Sequence, residues 1–586
     1  MSDTMENMNE NDDRVSGGNI NGGESPAPVN FLYRIIEDDI ANEVYHRPIC
    51  TRYPPEPNGY MHIGHLWSVN LHYTAARKYN GKFNLRFDDT NPLKEDMEYV
   101  NAIIADMKWA GYDPGENIYF GSDYLRQTFD YAIFLIKKGL AYVCNLTPDE
   151  TREYRGTLTT PGRNSPYRDR TAEQNLDLFY RMRDGEFAPG EAVLRAKIDM
   201  ASPNMNMRDP VIYRILNAEH YRVGSAWKIY PMYDFAHPIQ DAIEGVTHSM
   251  CSIEYNDHRP LYEWVTGSLE FAEPPKQREF GKVNITGAIT NKTKIRQVVE
   301  GGYVDGWDDP RLPTVTGMRR RGYTVEAIHR FMSGMSVPRD YMTVDISMLD
   351  SCLRDDLKGK APAVMAVLDP LKVTITNYPE GQTEYVEVEN NAENPDMGAR
   401  KLPFSRNIFV EREDFMETPE KGFHRLFPGN EVRLKGAYFI KCEEAVKDEA
   451  GNVTEIHCTY DPATKSGQNC TERKVKATLH WLDASNAMPA TVMLYSGLLL
   501  PDKSVGFTGD VDWDDCIDKN SKKELTGCLI ERGLEHARAE EKYQFIRHGY
   551  FVVDIGQKPG ERLRFNRIAA LKDSKGKDSK DKNAGK

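Results

Sequence analysis

The sequence predicts a multidomain protein, α/β in its first part and all-β in its last. Strand-like and helix-like segments alternate between Ile49 and Met107, the pattern of a parallel sheet. After Ala363, short alternating runs replace the helical periodicity. The length, 586 residues, exceeds what one hydrophobic core holds, so about four domains are expected.

The first folded block opens at Ile49-Cys50-Thr51-Arg52, a β-like run stopped by Pro54-Pro55. Asn58-Gly59 is a turn pair, and Met61 to Lys78 reads as a helix. A second strand, Phe83 to Phe87, ends at Asp88-Asp89. The next helix carries Met97, Val100, Ile103, Ile104 and Met107 on one face. From about Tyr124 to Trp227 the texture changes, with a helix at Tyr131 to Lys138 and a basic, turn-rich stretch from Arg155 to Arg170. The α/β character returns at Lys228, so 124–227 reads as a domain inserted between the halves 30–123 and 228–282 of a nucleotide-binding fold. Helical patterns dominate from Asp309 to Lys358, within a unit spanning 283–360. In 361–570, Val373 to Thr376, Tyr438 to Cys442 and Val453 to Cys458 are alternating strands, the last two joined by a loop containing Gly451-Asn452; such spacings suggest β-barrels. The ends, 1–29 and 571–586, read as solvated tails, the second Lys-rich.

Composition narrows the class. A hydrophobic fraction of 40% with 28% charged residues is globular, and no stretch is apolar for long enough to span a bilayer. The N-terminus lacks the cationic start and apolar run of a secretory signal. Nine scattered cysteines with no CxxC pair fit a reduced cytosol rather than a disulfide framework or structural zinc site, so a cytoplasmic protein without a metal centre is expected. The net charge of −14 argues against nonspecific nucleic-acid binding but leaves room for a local basic face, for which Met318-Arg319-Arg320-Arg321-Gly322 is a candidate.

The chemistry concentrates in Arg52-Tyr53-Pro54-Pro55-Glu56-Pro57-Asn58-Gly59-Tyr60-Met61-His62-Ile63-Gly64-His65. A strand turns through Asn-Gly into a helix whose first turn carries two histidines three residues apart, on one face. The free N–H groups and dipole of the helix start point into the same region, which suits a polyphosphate. Gly64, without a side chain, lets an adenine or ribose approach the backbone. A bare His-Ile-Gly-His is equally an ordinary surface helix; the preceding Pro-Pro-Glu-Pro-Asn-Gly makes that reading remote.

With these residues the chain resembles the glutaminyl-tRNA synthetases, in the glutamyl/glutaminyl subgroup of class I aminoacyl-tRNA synthetases, from Arg52 to about Lys572. Further stretches carry the likeness: Asn84 to Pro92, Arg195 to Ala201, and Gly306-Trp307-Asp308-Asp309-Pro310-Arg311. The resemblance implies a Rossmann-like catalytic domain, an inserted acceptor-stem-binding domain, a helical domain and two C-terminal anticodon-binding β-barrels. It implies an ATP-dependent ligase, a monomer, that charges tRNA(Gln) with L-glutamine, with Mg2+ accompanying the ATP and no prosthetic group.

It also implies roles. His62, His65 and Lys292 would be catalytic, acting on ATP phosphates, and Glu56, Asn58, Gly64 and Lys282 would complete the ATP site. Arg52 and Asp88 would hold the carboxylate and ammonium of glutamine, while Tyr233, with Gln277 through water, would read the side-chain amide. Cys251 would stand where glutamate enzymes have Arg, leaving room for an uncharged amide. Leu158, Asp257, Arg425, Arg433, Gln544 and Arg547 would contact tRNA. Plainer readings exist: Asp88 as a helix cap, Tyr233 as core packing, Cys251 as a small buried hydrophobe.

The chain departs from the family in places. The second signature loop, normally near Met-Ser-Lys, reads Ile289-Thr290-Asn291-Lys292-Thr293-Lys294. Lys282 replaces an Arg, and Leu66-Trp67 replace Ala-Lys. Ala363 stands where the family has an anticodon-reading Arg, Gly422 and His424 replace Gln and Lys, and Lys435 replaces Arg. These changes motivate two rivals: a weakened or non-catalytic tRNA-binding paralogue, and a glutamate-specific enzyme. Retention of His62, His65, Asp88 and Tyr233 opposes the first, and Cys251 the second.

Overall fold

A computed structural model describes residues 30–467, 473–501, 503, 505 and 509–571. Of the tails expected at 1–29 and 571–586, all but Leu571 lie outside them, as does Cys470; Leu571, read as the start of the second tail, instead packs on the main core.

Helix α1 (Phe31–Ala41) is capped by Asn30, whose side chain accepts from Leu32 N, and buries Leu32 and Ile36 at i,i+4 spacing. Strands β1 (Cys50–Tyr53), β2 (Lys82–Phe87) and β3 (Ile118–Phe120) form a parallel sheet in that order, linked by α2 (Ile63–Lys78) and α3 (Met97–Trp109). β1 is buried at every position, and β2 at all but its first, as expected of strands covered on both faces. On α3, Val100, Ile103 and Met107 are buried while Met97 is exposed.

The insertion follows as α4 (Leu125–Lys137), β4 (Ala141–Cys144), α5 (Pro148–Arg155), α6 (Ala172–Asp184), β5 (Val193–Ala196), β6 (Val211–Ile215) and β7 (Ile229–Pro231). Its four strands pair antiparallel around a separate core containing Phe129, Phe179 and Tyr213, and the fourth, Ile229–Pro231, read from sequence as the return of the α/β fold, instead closes this sheet beside β6. The α/β fold then resumes with α7 (Tyr233–Ile243), β8 (His248–Ser252), α8 (Arg259–Ser268) and β9 (Lys276–Phe280). β8 and β9 are parallel, and Thr247 ties them to β1: its N–H donates to Cys50 O, and its hydroxyl accepts from Cys50 N, both at 2.9 Å.

β10 (Val283–Thr286), α9 (Lys292–Glu300), α10 (Val315–Arg321), α11 (Val325–Ser333), β11 (Met342–Asp345) and α12 (Ser347–Leu357) complete the first part. The stretch read as helical thus contains a strand, because Met342–Asp345 finds β10 as a parallel partner. The arginine run is corrected too. Arg319 pairs with Glu540, Arg320 with Asp308 and Asp554, and Arg321 with Pro310 O, so these cations brace α10 against the C-terminal part rather than forming a free basic face.

The remainder is β-rich, in two seven-stranded sheets and a two-stranded antiparallel ribbon of Thr383–Glu389 and Ala399–Ser405. One runs Ala363–Val364, Lys542–Phe545, Gly549–Val553, Arg564–Ala569, Ala487–Tyr495, Lys522–Glu531, Ala366–Val367. The other runs Thr478–Leu479, Glu431–Leu434, Phe439–Lys447, Val453–Asp461, Pro370–Ile375, Asn407–Glu411, Leu482–Asp483. In each, the two outermost strands are successive in the chain, separated by Met365 in one and by His480-Trp481 in the other. The hairpin read at Tyr438–Cys442 and Val453–Cys458 is present, its loop turning through Gly451 at φ +86°.

Candidate active site

The turn after β1 and the start of α2 carry the histidines. His62 is the residue before the helix, and His65 lies in its first turn. They cap the helix for each other: His62 Nδ1 accepts from Gly64 N at 3.1 Å, and His65 Nδ1 accepts from His62 N at 3.1 Å. The rings stack, 3.8 Å between centroids. Backbone N–H groups can only donate, so both Nδ1 atoms are unprotonated, and each neutral ring carries its proton on Nε2. Burial, reinforced by Lys292, lowers the His62 pKa to about 3; burial, then His62 itself, pushes His65 well below its ordinary value. The pair therefore offers two neutral Nε2–H donors beside a helix start.

Lys292 opens α9, which Asn291 caps by accepting from Lys294 N. Its ammonium donates to Asn58 Oδ1, while Arg296 holds Asn58 O at 3.1 Å and Asn58 Nδ2 donates to Glu56 Oε2 at 2.5 Å. The Glu-Pro-Asn-Gly turn and the second signature loop are thus one unit. Gly59 makes room for it: a Cβ there would lie 2.9 Å from Lys292 Cδ and Cε. Burial, against the pull of Glu56, lowers the Lys292 pKa to about 8. At Gly64 a Cβ would meet the His62 ring at 3.0 Å, so the glycine also accommodates the cap. Lys282 pairs with Glu254 at 3.1 Å.

At the other end lies Arg52, wholly buried on β1. It donates to Asp241 (3.1 Å), Met250 O (2.7 Å), Ser249 Oγ (2.7 Å) and Cys251 Sγ (3.4 Å), and lies against His237. Asp241 also accepts from Arg86 at 2.7 Å and from Tyr262 at 2.8 Å. This buried network fixes Arg52 through a carboxylate that sequence reading passed over. Its signal was available, since Tyr233, His237 and Asp241 recur every fourth residue along α7. Asp88, at the end of β2, is buried, and that burial raises its pKa to about 6 against the opposing charge of Arg86. Tyr233 opens α7 and stacks on His237 at 4.7 Å; burial keeps its phenol protonated. The Cys251 thiol is likewise held neutral by burial.

One cavity of about 430 Å³ joins both ends. Arg52, Glu56, His62, Gly64, His65, Asp88, Tyr233, Cys251, Lys282 and Lys292 line it. Asn58 and Gln277 do not: Asn58 sits behind Lys292, and Gln277 is buried, donating to Tyr255 O and Glu279 at 3.0 Å. Trp67, Tyr255 and Phe280, not anticipated, are among the other residues of its wall.

The expected RNA residues lie elsewhere. Leu158 is 81% exposed in the turn after α5, and Asp257 is exposed, its carbonyl accepting from Asn204 and Asn206. Arg433 donates to Ser466 Oγ at 2.9 Å and lies over the Phe439 ring. Gln544 is the direct strand partner of Ala363, and Arg547 and Arg425 converge on Asp414. Gly422 and His424 are exposed in the loop before Arg425, and Lys435 O accepts from Trp481 Nε1.

A parallel sheet, a helix start armed with two imidazole donors and a lysine loop over one cavity define a nucleotide-activating enzyme of the class I synthetase type. Family comparison fixes it further. The family described as "tRNA synthetases class I (E and Q), catalytic domain" matches residues 48–359, and two anticodon-binding domains of the same group match 361–461 and 478–554. The chain belongs to the class I tRNA synthetases of the E and Q group. It is similar to the glutamine–tRNA ligase of Clostridium kluyveri, 54% identical over 94% of this chain and 99% of the relative. It is also similar to those of Clostridium perfringens (54%, covering 93% and 98%) and Azotobacter vinelandii (50%, covering 94% and 99%).

Proposed function

We propose that the chain is a glutamine–tRNA ligase: with ATP it activates L-glutamine to the adenylate and transfers the glutaminyl group to the 3′ end of tRNA(Gln). The observation that carries this is the near full-length likeness to glutamine–tRNA ligases, joined to a cavity with phosphate donors at one end and a buried Arg52–Cys251 contact at the other. In the first step an α-carboxylate oxygen of glutamine attacks the α-phosphorus of ATP; the bond to the bridging oxygen breaks and pyrophosphate leaves. In the second, a hydroxyl of the terminal ribose attacks the adenylate carbonyl and AMP leaves. No side-chain nucleophile takes part. The Nε2–H groups of His62 and His65 and the Lys292 ammonium meet charge that builds on the phosphates in the transition state. Glu56, Gly64 and Lys282 complete the nucleotide end, with Asn58 holding Lys292; Mg2+ comes with ATP, bound through phosphate oxygens and water.

Arg52 and Asp88 take the carboxylate and ammonium of glutamine, and the Tyr233 hydroxyl takes the amide, with Gln277 acting from behind Tyr255. A thiol at Cys251 puts no cation beside that amide, which supports glutamine over glutamate. The insertion, through Leu158 and Asp257, binds the acceptor stem; the C-terminal part, as two β-barrels, reads the anticodon through Arg425, Arg433, Gln544 and Arg547. The enzyme works as a cytoplasmic monomer; among the described residues no helix is long and apolar enough to cross a membrane. Charging of purified tRNA with labelled glutamine and, in parallel, glutamate tests this: robust glutamate incorporation, or none of either, refutes it.

A further inference from the structure

Arg547 has φ +70°, a backbone conformation that a long side chain rarely adopts, in the turn between strands Lys542–Phe545 and Gly549–Val553. Its guanidinium is gripped by Asp414 of the neighbouring sheet's domain at 2.7 and 2.6 Å. Arg425 approaches the same carboxylate at 3.3 Å while donating to Glu413 O and Oε1 at 3.1 and 3.0 Å. Asp414 is wholly buried, whereas Arg547 and Arg425 keep 26% and 37% of their side chains exposed. One hidden anion, with Glu413 beside it on Arg425, thus joins two outward-reaching cations, one from each C-terminal sheet's domain.

A second layer backs the grip. His480 Nδ1 lies 3.4 Å from an Arg547 nitrogen; a guanidinium only donates, so Nδ1 accepts and the ring proton sits on Nε2, 3.4 Å from Glu411. His548, the next residue after Arg547, donates Nε2–H to the same Glu411 oxygen at 2.7 Å. Glu411, His480 and His548 are close enough to suggest a cation site. However, Glu411 already accepts the N–H groups of Leu368 (2.7 Å) and Asp369 (3.0 Å), and the Arg547 cation stands behind His480, so the cluster reads as a hydrogen-bonded brace.

We propose that Asp414 is a positioning residue for anticodon reading: it locks Arg547 and Arg425 into one rigid pair of guanidiniums presented to single-stranded RNA. Asp414 does not itself touch RNA. The bidentate grip fixes the plane of Arg547, and planar, oriented donors discriminate base edges where a freely rotating cation only attracts phosphate. This rests on the reading of Arg425 and Arg547 as tRNA contacts.

The test is steady-state charging by the full-length enzyme, with tRNA(Gln) transcripts carrying the native or altered third anticodon base. Asp414→Asn is expected to raise the KM for tRNA about ten-fold or more, the worth of one oriented contact, and to narrow the preference for the native base. The KM values for glutamine and ATP at saturating tRNA should hold. Asp414→Glu, which keeps the charge on a longer arm, should recover part of the loss. A packing role would give the reverse order, because Asn is the isostere. Asp414→Asn added to the pair Arg547→Ala and Arg425→Ala should lose no more than that pair alone. Multiplying losses, or a better Asn than Glu variant, overturn the positioning role. If Arg547→Ala leaves tRNA kinetics unchanged, the underlying contact reading fails and the proposal with it.

Discussion

Gly59→Ala should slow charging without removing any functional group. Gly59 has no positive φ, so alanine fits its backbone; the perturbation is the methyl group alone. That carbon would sit 2.9 Å from both Cδ and Cε of Lys292, whereas carbons in contact prefer about 3.5–4.0 Å. The lysine arm must move by roughly 0.5–1 Å, taking its ammonium off Asn58 and off the phosphate it would meet. A displacement of about 1 Å at a reacting centre costs on the order of 100-fold. Lys292→Ala, which removes the charge, should cost about 100- to 1000-fold in kcat, the worth of one oriented donor to a developing anion. Both variants should bind glutamine nearly as the parent does, because the lysine acts on charge that appears in the transition state. Charging with labelled glutamine, with kcat and the KM for ATP and glutamine measured separately, reads this out. A Gly59→Ala enzyme with the parental kcat would show that the methyl is absorbed elsewhere. A mild Lys292→Ala would pass the role to Lys294.

Three further outcomes are expected. The kcat/KM for glutamine should fall as pH drops through about 6, where the buried Asp88 takes up a proton and loses the charge that meets the ammonium, and kcat/KM for ATP should fall as pH rises through about 8, where Lys292 loses its own. Asp88→Asn should abolish the acid limb of that profile, and an unchanged limb would assign it to another group. Cys251→Arg should weaken glutamine use about 10-fold or more, since its guanidinium would crowd the buried Arg52 now 3.4 Å from the sulfur, and unaltered kinetics would remove Cys251 from the pocket. Ala363→Arg should sharpen rejection of tRNAs altered at the middle anticodon base, because position 363 is the strand partner of Gln544; transcripts varied at that base measure it, and no gain would show that another residue already reads it.

Much of the catalytic half was legible because its signals are local. A strand stopped by Pro54-Pro55, a turn at Asn58-Gly59 and a helix from Ile63 need only neighbouring residues, and the structure places them within two residues of expectation. What escaped depends on distant partners. Arg319 and Arg320 looked like part of an RNA face because two of their counterions, Glu540 and Asp554, come more than two hundred residues later. Met342–Asp345 passed as helical since only β10 makes it a strand. Asp241 is an unremarked Asp in sequence, and its importance appears only once Arg52 and Arg86 converge on it.

The two β-rich sheets are nested in the chain, and this has a consequence for synthesis on the ribosome. Ala363–Val364 and Ala366–Val367 find their partners in Lys542–Phe545 and Lys522–Glu531, while the whole of the other sheet, from Pro370 to Asp483, is made in between. That inner sheet has all its strands as soon as Asp483 emerges. The outer strands around Met365 wait, counted from their own synthesis, roughly 160 residues for their first partner, which at about 5–20 residues per second is on the order of ten to thirty seconds with backbone donors and acceptors unsatisfied. A chain stalled before Lys522 would therefore carry a finished inner sheet on an open seam, the form in which strand edges recruit other chains.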